Sequence, residues 1–452
     1  MSDIEEKKED LSIIDTFKIL FGASKGFWLV NMVNFGDGIA YFGVLTLLTR
    51  FLGARLGMPD DTTSMSVSMF TGLVTLFMFG CGFISDKIGV RRALTLALAM
   101  LLTGRFLLVM SPAMGNGLSW GASWFSLLIM AFGSGVLQPA LYAGAKEYTD
   151  SRTATIGYSL IYSIMNLGIV GANFMSPYVR TSDTFLTVRG QQIPGLGLGV
   201  DGVYLMCALI TAGMLILHML FFTRKVELEC CSEPTQEKHD EAKKSWKEKM
   251  KELPFNDARF MFFIFILLPV QTLFAHQFLT IPDYVFRDFP NEVSAKFEWI
   301  SGLNPLIIVI FVPLIAAFTR KANIVTMMII GTTISALTTF LLVPGPNLTS
   351  LLVYVVLFSF GEAVWSSRFY EYVADIAPAG KVGAYMGLAG IPWFMAKFTT
   401  GLYSGKMLEI FIPKTGAHDS GTLWLIYAGI ACITPVSLIL AKRWLNAAVP
   451  KQ

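Results

Sequence analysis

Charged residues are scarce in this chain of 452 residues. They make up 15% of it, whereas a typical soluble domain has about a quarter. Hydrophobic residues make up 54%, and a soluble protein of this size could not cover that much apolar surface with so few charges. This composition excludes a disordered chain and argues against an ordinary soluble enzyme. The net charge of +3 gives no indication of nucleic-acid binding. We therefore expect a membrane protein, and each charge inside its apolar segments needs a physical reason to be there.

Cysteines and catalytic motifs are also scarce. The five cysteines are odd in number and scattered, so we expect no disulfide framework. The pair Cys230-Cys231 is most simply two reduced thiols, with lipidation or metal binding as the alternative. There is no P-loop, no His-Glu-x-x-His and no Gly-x-Ser-x-Gly motif. We predict no enzyme, no cofactor and no ATP-driven transporter. We also expect no cleavable signal peptide, since the first apolar run is too long for one.

Apolar segments long enough to cross a bilayer recur along the whole chain. Twelve of them cover about 27–51, 66–85, 92–111, 122–145, 155–178, 202–223, 258–280, 299–319, 324–343, 350–374, 383–408 and 421–441. Gly, Pro or polar residues interrupt several of these segments, as in helices that pack in a bundle or line a cavity. The sequence therefore predicts an all-α integral membrane protein with twelve transmembrane helices.

A polar stretch at 224–256 divides these segments into six and six. The predicted parts are an N-terminal segment 1–26, a six-helix bundle 27–223, a linker 224–256, a second six-helix bundle 258–441 and a tail 442–452. Basic residues concentrate in the loops on one side, which places the linker and both termini in the cytoplasm by the positive-inside rule. The few cations expected in outer loops are Arg50, Arg55, Arg180, Arg189, Arg287, Lys296 and Lys414.

The two halves look related. Residues 86–108 and 319–341 both place basic residues just before an apolar helix. A duplicated six-helix unit is typical of secondary transporters, whose binding site lies between the halves near the middle of the membrane.

The loop after the second segment carries a distinctive motif. Residues 82–92 read GFISDKIGVRR, with the motif positions at Gly82, Asp86, Lys87, Gly89, Arg91 and Arg92. A glycine permits a tight turn, and basic residues suit the inner membrane face. The alternative is an ordinary basic inner loop. The spacing resembles the signature loop of the major facilitator superfamily. This resemblance implies the fold of that superfamily, with the motif acting as a gate between conformations rather than binding substrate.

Further stretches resemble one branch of that superfamily, the proton-dependent oligopeptide transporters. They are Tyr41-Phe42-Gly43, residues 133–139 and 162–168, Gly361-Glu362, Ala377-Pro378 and Met386-Gly387. Their order and spacing along the chain carry the resemblance. It implies proton-coupled uptake of a peptide-like solute.

The same comparison shows departures from the branch. Its Glu-x-x-Glu-Arg motif in the first helix falls on residues 34–38, which read NFGDG, so Asp37 remains and the arginine is missing. Gln138 stands where the branch has lysine, and His276 stands where it has glutamate. Glu362 is retained. The missing charges imply an altered binding site and leave peptide specificity open.

Polar residues inside the apolar segments are the candidate site. Asn34, Asp37 and Tyr41 share one helix face by their spacing. A carboxylate at this depth costs at least about 2.5–3.5 kcal/mol, which favours a paired or protonatable role for Asp37. A buried structural hydrogen bond is the alternative. Polar residues of the fourth and fifth segments either line the site or hold helices together. His276 is either a proton-coupling residue or an ordinary core histidine.

The tenth segment carries the densest set of charges. Arg368 and Glu371 are spaced to form an intrahelical ion pair, while Glu362 lies at the centre of the segment. Lys397 in the eleventh segment and Arg105 in the third could each balance Asp37 or Glu362, or bind an anionic substrate. The spacing of the residues does not decide between these pairings.

The complete predicted site for substrate and protons comprises Asn34, Asp37, Tyr41, Arg105, Gln138, Tyr142, Tyr162, Asn166, His276, Gln277, Glu362, Trp365, Arg368, Trp393 and Lys397. We expect a secondary transporter of the cell membrane that works by alternating access as a monomer, with a small molecule and protons as its partners and the proton gradient as its energy source. Asp37→Asn and Glu362→Gln should then abolish proton-driven uptake and leave the fold intact. The alternative is an exporter or facilitator of a drug, an organic anion or a lipid-like molecule. A more distant alternative is a membrane receptor that does not transport.

Overall fold

The computed structural model describes residues 23–115, 117–148, 154–182, 184–188, 191–230, 255, 257–319, 322–376, 385 and 388–447. Most of the predicted N-terminal segment and of the linker, and residues 448–452 of the tail, lie outside the described residues. So do Cys231, Arg189 and the stretches Ala377-Pro378 and Met386-Gly387. The side chains of Asp86 and Tyr162 are likewise outside the description.

Long helices occupy the positions of the predicted segments in the first half of the chain. They are α1 (Lys25–Thr46), α2 (Asp60–Ile88), α3 (Val90–Met110), α4 (Ser119–Glu147), α5 (Ala154–Arg180) and α6 (Gly199–Phe221). Shorter elements between and after them are Leu48–Arg50, a π-helical turn Phe51–Arg55, a 3₁₀ turn Ser111–Met114 and the helix Arg224–Cys230. The strands β1 (Thr184–Val188) and β2 (Gln191–Pro194) form a small antiparallel hairpin.

The second half repeats this arrangement. Its helices are α7 (Ala258–Ile266 and Leu268–Leu279, interrupted at Leu267), α8 (Phe297–Phe318), α9 (Ile324–Thr338), α10 (Leu348–Ile376), α11 (Ile391–Phe411) and α12 (Ser420–Asn446). Short helices Ile281–Asp288 and Asn291–Ser294 connect α7 to α8, and a 3₁₀ turn Thr339–Leu342 follows α9. The prediction of a helical architecture is confirmed.

Some of these helices are long and apolar enough to cross a membrane, and others are not. Among the described residues, seven helices are long and apolar enough to cross a membrane. The number rises to eight if α1 and Leu48–Arg55, which meet at 46°, form one bent span. Several membrane spans are therefore present. The count of twelve and the cytoplasmic position of both termini stay predictions.

Local sequence explains where several helices begin. The side chain of Ser24 accepts a hydrogen bond from the N–H of Phe27 at the start of α1. Asn323 and Asp419 do the same for Thr326 and Thr422 at the starts of α9 and α12. Such caps satisfy backbone N–H groups that have no partner within the helix.

The two halves of the chain meet most closely where α2 packs against α11. A Cβ atom added to Gly401 would lie 2.0 Å from the hydroxyl of Ser68, and one on Gly405 would lie 2.4 Å from the carbonyl of Asp60. Small residues therefore bring the backbones of the two helices together, as in many membrane helix pairs. Gly302 of α8 likewise packs on Asn173 of α5. These contacts set the first turns of α2 against the middle and the second half of α11.

Candidate functional site

The buried charges of the first half neutralise one another. Arg105 of α3 donates to Asp37 of α1 at 2.7 Å and to the hydroxyl of Thr211 of α6 at 2.5 Å. The side chains of Arg105 and Asp37 are only 1% and 4% exposed. This geometry decides the pairing that the sequence left open. Asp37 and Arg105 tie three helices of one half together.

The other two residues predicted on α1 differ in their exposure to solvent. Asn34 is buried and donates to the carbonyl of Ile161 of α5 at 2.6 Å. Tyr41 is partly exposed and lies beside the rings of Phe42 and Phe70. Asn34 and Asp37 thus hold the helices of the first half together, and Tyr41 is the member of this face that remains open to a ligand.

The residues predicted on α4 and α5 are only partly described. Gln138 is partly exposed, Tyr142 is 37% exposed and Asn166 is buried. Gln138 is the one of these three that combines a polar group with a partly open position near the middle of its helix.

On α7, His276 belongs to a polar cluster within the second half. Its Nδ1 lies 2.8 Å from the hydroxyl of Thr280, and its Nε2 lies 3.2 Å from the hydroxyl of Tyr403. The ring of Tyr427 stacks on the imidazole at 3.8 Å. With both nitrogens engaged and the ring buried, His276 has the surroundings of a structural histidine. Gln277 is partly exposed and donates to the hydroxyl of Tyr354 at 3.1 Å.

Glu362, at the centre of α10, has a neutral partner. Its carboxylate accepts from the amide of Asn304 of α8 at 2.8 Å, and the same amide donates to Ser359 at 3.0 Å. No described cation lies within ion-pair distance of Glu362. The residue as a whole is partly exposed.

Two tryptophans connect α10 to α11. The rings of Trp365 and Trp393 stack with centroids 6.1 Å apart, and the ring of Phe274 meets the edges of both. Trp365 is fully buried and Trp393 is partly exposed. This aromatic cluster supports the helices that carry Glu362 and Lys397.

Arg368 does not face Glu362. It forms an ion pair with Glu371 on its own helix and donates to the hydroxyl of Thr319 at 2.7 Å. The pair is the intrahelical one that the i, i+3 spacing allows.

Lys397 lies where the two halves meet. Its ammonium group is 3.5 Å from the hydroxyl of Thr75, which belongs to α2 in the other half. No described carboxylate lies within ion-pair distance of it. The side chain is partly exposed. Lys397 is therefore a cation in an apolar helix with a neutral, distant partner.

The signature loop after α2 turns at Gly89, whose φ of 84° suits glycine. Arg91 then pairs with Glu227 at 3.0 Å, while Lys87 and Arg92 are exposed. Glu227 belongs to the short helix after α6, and no pattern in the sequence indicated this partner. The loop is thus attached to the first residues of the predicted linker.

The sequence reasoning missed two ionic links between the halves. Arg287, after α7, donates to Asp60 of α2 at 2.8 Å and to Asp283 at 3.0 Å. Lys414 lies 3.2 Å from the same Asp60. Burial raises the pKa of Asp283, and the charge of Arg287 opposes that shift. These residues line a cavity of about 370 Å³ between the halves, together with Arg50.

The second link joins α5 to α8. Arg180 donates to both oxygens of Glu298, at 2.6 and 2.7 Å, and Ser176 donates to one of them at 3.0 Å. Arg180, Arg287 and Lys414 are all cations that the positive-inside rule assigned to outer loops. Such exceptions to the rule were the available signal in the sequence, because a cation that departs from it calls for a structural partner.

Comparison with known proteins shows which family the chain belongs to. The sequence matches the family Major Facilitator Superfamily over residues 27–398. The uncharacterised MFS-type transporter YqjV of Bacillus subtilis (strain 168) is 20% identical, over 85% of this chain and 88% of that protein. Dipeptide and tripeptide permease A of Erwinia pyrifoliae is 21% identical, over 94% of this chain and 95% of that protein.

Solved structures show the same fold. A crystal structure of the peptide transporter POT in complex with sulfate has a TM-score of 0.73 at 15% identity, over 97% of this chain and 100% of that chain. The nucleoside transporter NupG has a TM-score of 0.69 at 17% identity, over 92% and 99%. The resemblance to the peptide-transporter branch is thus confirmed as a similarity of fold and sequence. With the family match over most of its length, this chain is a multi-pass membrane protein that belongs to the Major Facilitator Superfamily.

Proposed function

We propose that this protein is a secondary active transporter that takes up a small solute together with protons. It has twelve transmembrane helices in two six-helix bundles, 27–223 and 258–441, with both termini in the cytoplasm. The bundles rock about a site near the middle of the membrane, as alternating access requires. The proton gradient is the energy source, and the chain needs no cofactor.

The position of the ionic links between the halves carries this proposal. Arg287–Asp60, Lys414–Asp60 and Arg180–Glu298 all lie where α2 begins and α5 ends. At the other end of α2, no ion pair joins the two halves among the described residues. Two bundles that are linked at one end only are arranged to separate at the other. With the orientation given by the positive-inside rule, the structure is closed to the outside.

Proton coupling is assigned to Glu362. A carboxylate in the middle of a membrane helix is costly when charged, and the amide of Asn304 offsets only part of that cost. Because no described cation neutralises Glu362, protonation is the simplest way for it to lose its charge. Such a group can bind a proton in one conformation and release it in the other.

Peptide-like solutes are the first substrates to test, because permeases named for dipeptides and tripeptides are among the relatives. An exporter or facilitator of a non-peptide solute is the second candidate. It is favoured by Gly38 and Gln138, which stand at positions where the peptide-transporter branch carries cations.

Reconstitution into proteoliposomes tests the proposal. A thermal-shift screen of dipeptides, amino acids, organic acids and drugs at two pH values first identifies a ligand, which raises the apparent stability by mass action. Uptake of that ligand is then measured with and without an imposed pH gradient, acidic outside. We expect accumulation that the gradient drives in wild-type protein and that Glu362→Gln abolishes. Counterflow without a gradient response would instead identify a facilitator, and full accumulation by Glu362→Gln would refute the assignment of Glu362.

A further inference from the structure

We infer that Lys397 binds a carboxylate group of the transported solute. This inference rests on the proposed function and specifies the chemical class of its substrate. It follows from the charges of the described helices taken together, and from the place of Lys397 between the two halves.

The other cations predicted at the site already have carboxylate partners. Arg105 is neutralised by Asp37 at 2.7 Å. Arg368 is paired with Glu371 on its own helix. Lys397 has only the hydroxyl of Thr75, at the long distance of 3.5 Å. An ammonium group at this depth without an anion is costly. A ligand that supplies the missing negative charge therefore gains binding energy at Lys397.

The surroundings of Lys397 are rich in donors and aromatic surface. Trp393 lies one helical turn earlier on α11, and its indole N–H is buried with no acceptor in the described part of the chain. Trp365 and Phe274 extend the same aromatic cluster. This region therefore lacks a hydrogen-bond acceptor among the described residues. The rings would lie against an apolar part of the same solute.

A single lysine suits a carboxylate better than a phosphate. Phosphate recognition generally uses several cations or the two-pronged guanidinium of arginine. No second unpaired cation accompanies Lys397 among the described candidate residues. The favoured substrate is a small monocarboxylate, with or without a positive group.

The position of Lys397 also explains how binding would matter for transport. Lys397 belongs to α11 and Thr75 to α2, so a carboxylate held between them touches both bundles. Binding there depends on how the bundles are arranged. Any ligand that contacts both bundles shifts their equilibrium toward the arrangement it fits.

Matched acids and amides test the inference on purified full-length protein in detergent. The probes are benzoate and benzamide, phenylalanine and phenylalaninamide, and the dipeptide alanyl-phenylalanine and its C-terminal amide. We expect at least one acid to raise the apparent melting temperature of wild-type protein with concentration, and its amide to fail. This comparison needs no variant, so it does not depend on a substituted protein folding.

Variants then assign the effect to Lys397. Lys397→Gln should weaken binding of the active acid by about ten- to hundredfold, the usual cost of losing a charged hydrogen bond. Lys397→Arg should keep the preference for acid over amide. Thr75→Val should weaken binding only severalfold. Lys406→Gln replaces an exposed lysine of the same helix and should match wild-type protein.

Three results would overturn the inference: no acid stabilises wild-type protein, the amides stabilise it as well as the acids, or Lys397→Gln binds the acid unchanged. A different result would refute the proposed function while leaving this inference in place. An acid that binds through Lys397 but is never accumulated or exchanged by proteoliposomes would keep the inference and refute transport.

Discussion

The first half of the chain pairs its buried charges, and the second half leaves two of them apart. Asp37 and Arg105 are joined at 2.7 Å inside one bundle. Glu362 and Lys397, on α10 and α11, have only an amide and a hydroxyl as described partners. An ion pair of this kind stabilises its own bundle, and because each charge is already neutralised, it attracts a charged ligand only weakly. An unpaired charge is available to a proton or a solute, which is why the proposed proton site and the proposed carboxylate site both lie in the second half.

The largest expected effect comes from breaking the Asp37–Arg105 pair. Asp37→Asn should leave Arg105 buried without its anion and lower stability by about 3–5 kcal/mol. This changes the expectation from the sequence alone, which was loss of uptake with an intact fold. Thermal unfolding in detergent measures the effect.

The double variant Asp37→Asn/Arg105→Gln is the control for that experiment. Removing both charges should recover much of the stability lost by the single variant, because no buried charge is left alone. A double variant less stable than either single variant would show that the pair is not the reason for the loss.

Breaking the link between the halves should shift the conformation. Arg287→Ala removes the donor to Asp60 and Asp283. We expect the two halves to separate at the end where α2 begins, measured as faster thiol labelling of a Ser68→Cys reporter, which packs against Gly401. A shift of about 1.4 kcal/mol would raise the open population about tenfold.

Arg55→Ala is the matched control for the labelling experiment. Arg55, just before α2, also forms an ion pair, with Asp201, but both residues belong to the first half and are exposed. Its loss should leave the labelling rate of Ser68→Cys unchanged. Equal acceleration by both variants would mean that any charge change at this surface exposes Ser68.

Glu362→Gln should change function far more than stability. Glutamine has nearly the same shape and can still accept from Asn304, so we expect a stability change below about 1.5 kcal/mol. Proton-driven accumulation should nevertheless be lost, because the amide cannot titrate. The melting temperature and the uptake assay, measured on one preparation, separate the two effects. Unfolding of this variant would assign Glu362 a structural role like that of Asp37.

The smallest effect is expected at an ion pair that water reaches. Arg91 and Glu227 are 23% and 19% exposed, so Arg91→Ala should cost no more than about 1 kcal/mol. Comparing it with Asp37→Asn by thermal unfolding sharpens the distinction between solvated and buried pairs. A loss as large as that of Asp37→Asn would mean that the signature loop is part of the core.

Patterns along the chain predicted the helices well, because the apolar segments and their caps are local features. It was harder to predict which charged residues of the candidate site form ion pairs with one another. The i, i+3 spacing indicated Arg368–Glu371 because both partners share one helix. It could not indicate Asp37–Arg105, whose partners are 68 residues apart. In the fold, His276 contacts Thr280, Tyr403 and Tyr427. Two of these partners are more than 100 residues away in the sequence, so the sequence could not show that both ring nitrogens are engaged.

By itself, the sequence determined that lipid surrounds most of this protein, that its helices fall into two similar sets and that few charges lie within them. These follow from composition and spacing, which act along the chain. Only the tertiary structure decided which of the described charges have an ionic partner and which have none. Charges interact through space at distances of a few ångströms, and the packing of α1 on α3 and of α2 on α11 sets those distances.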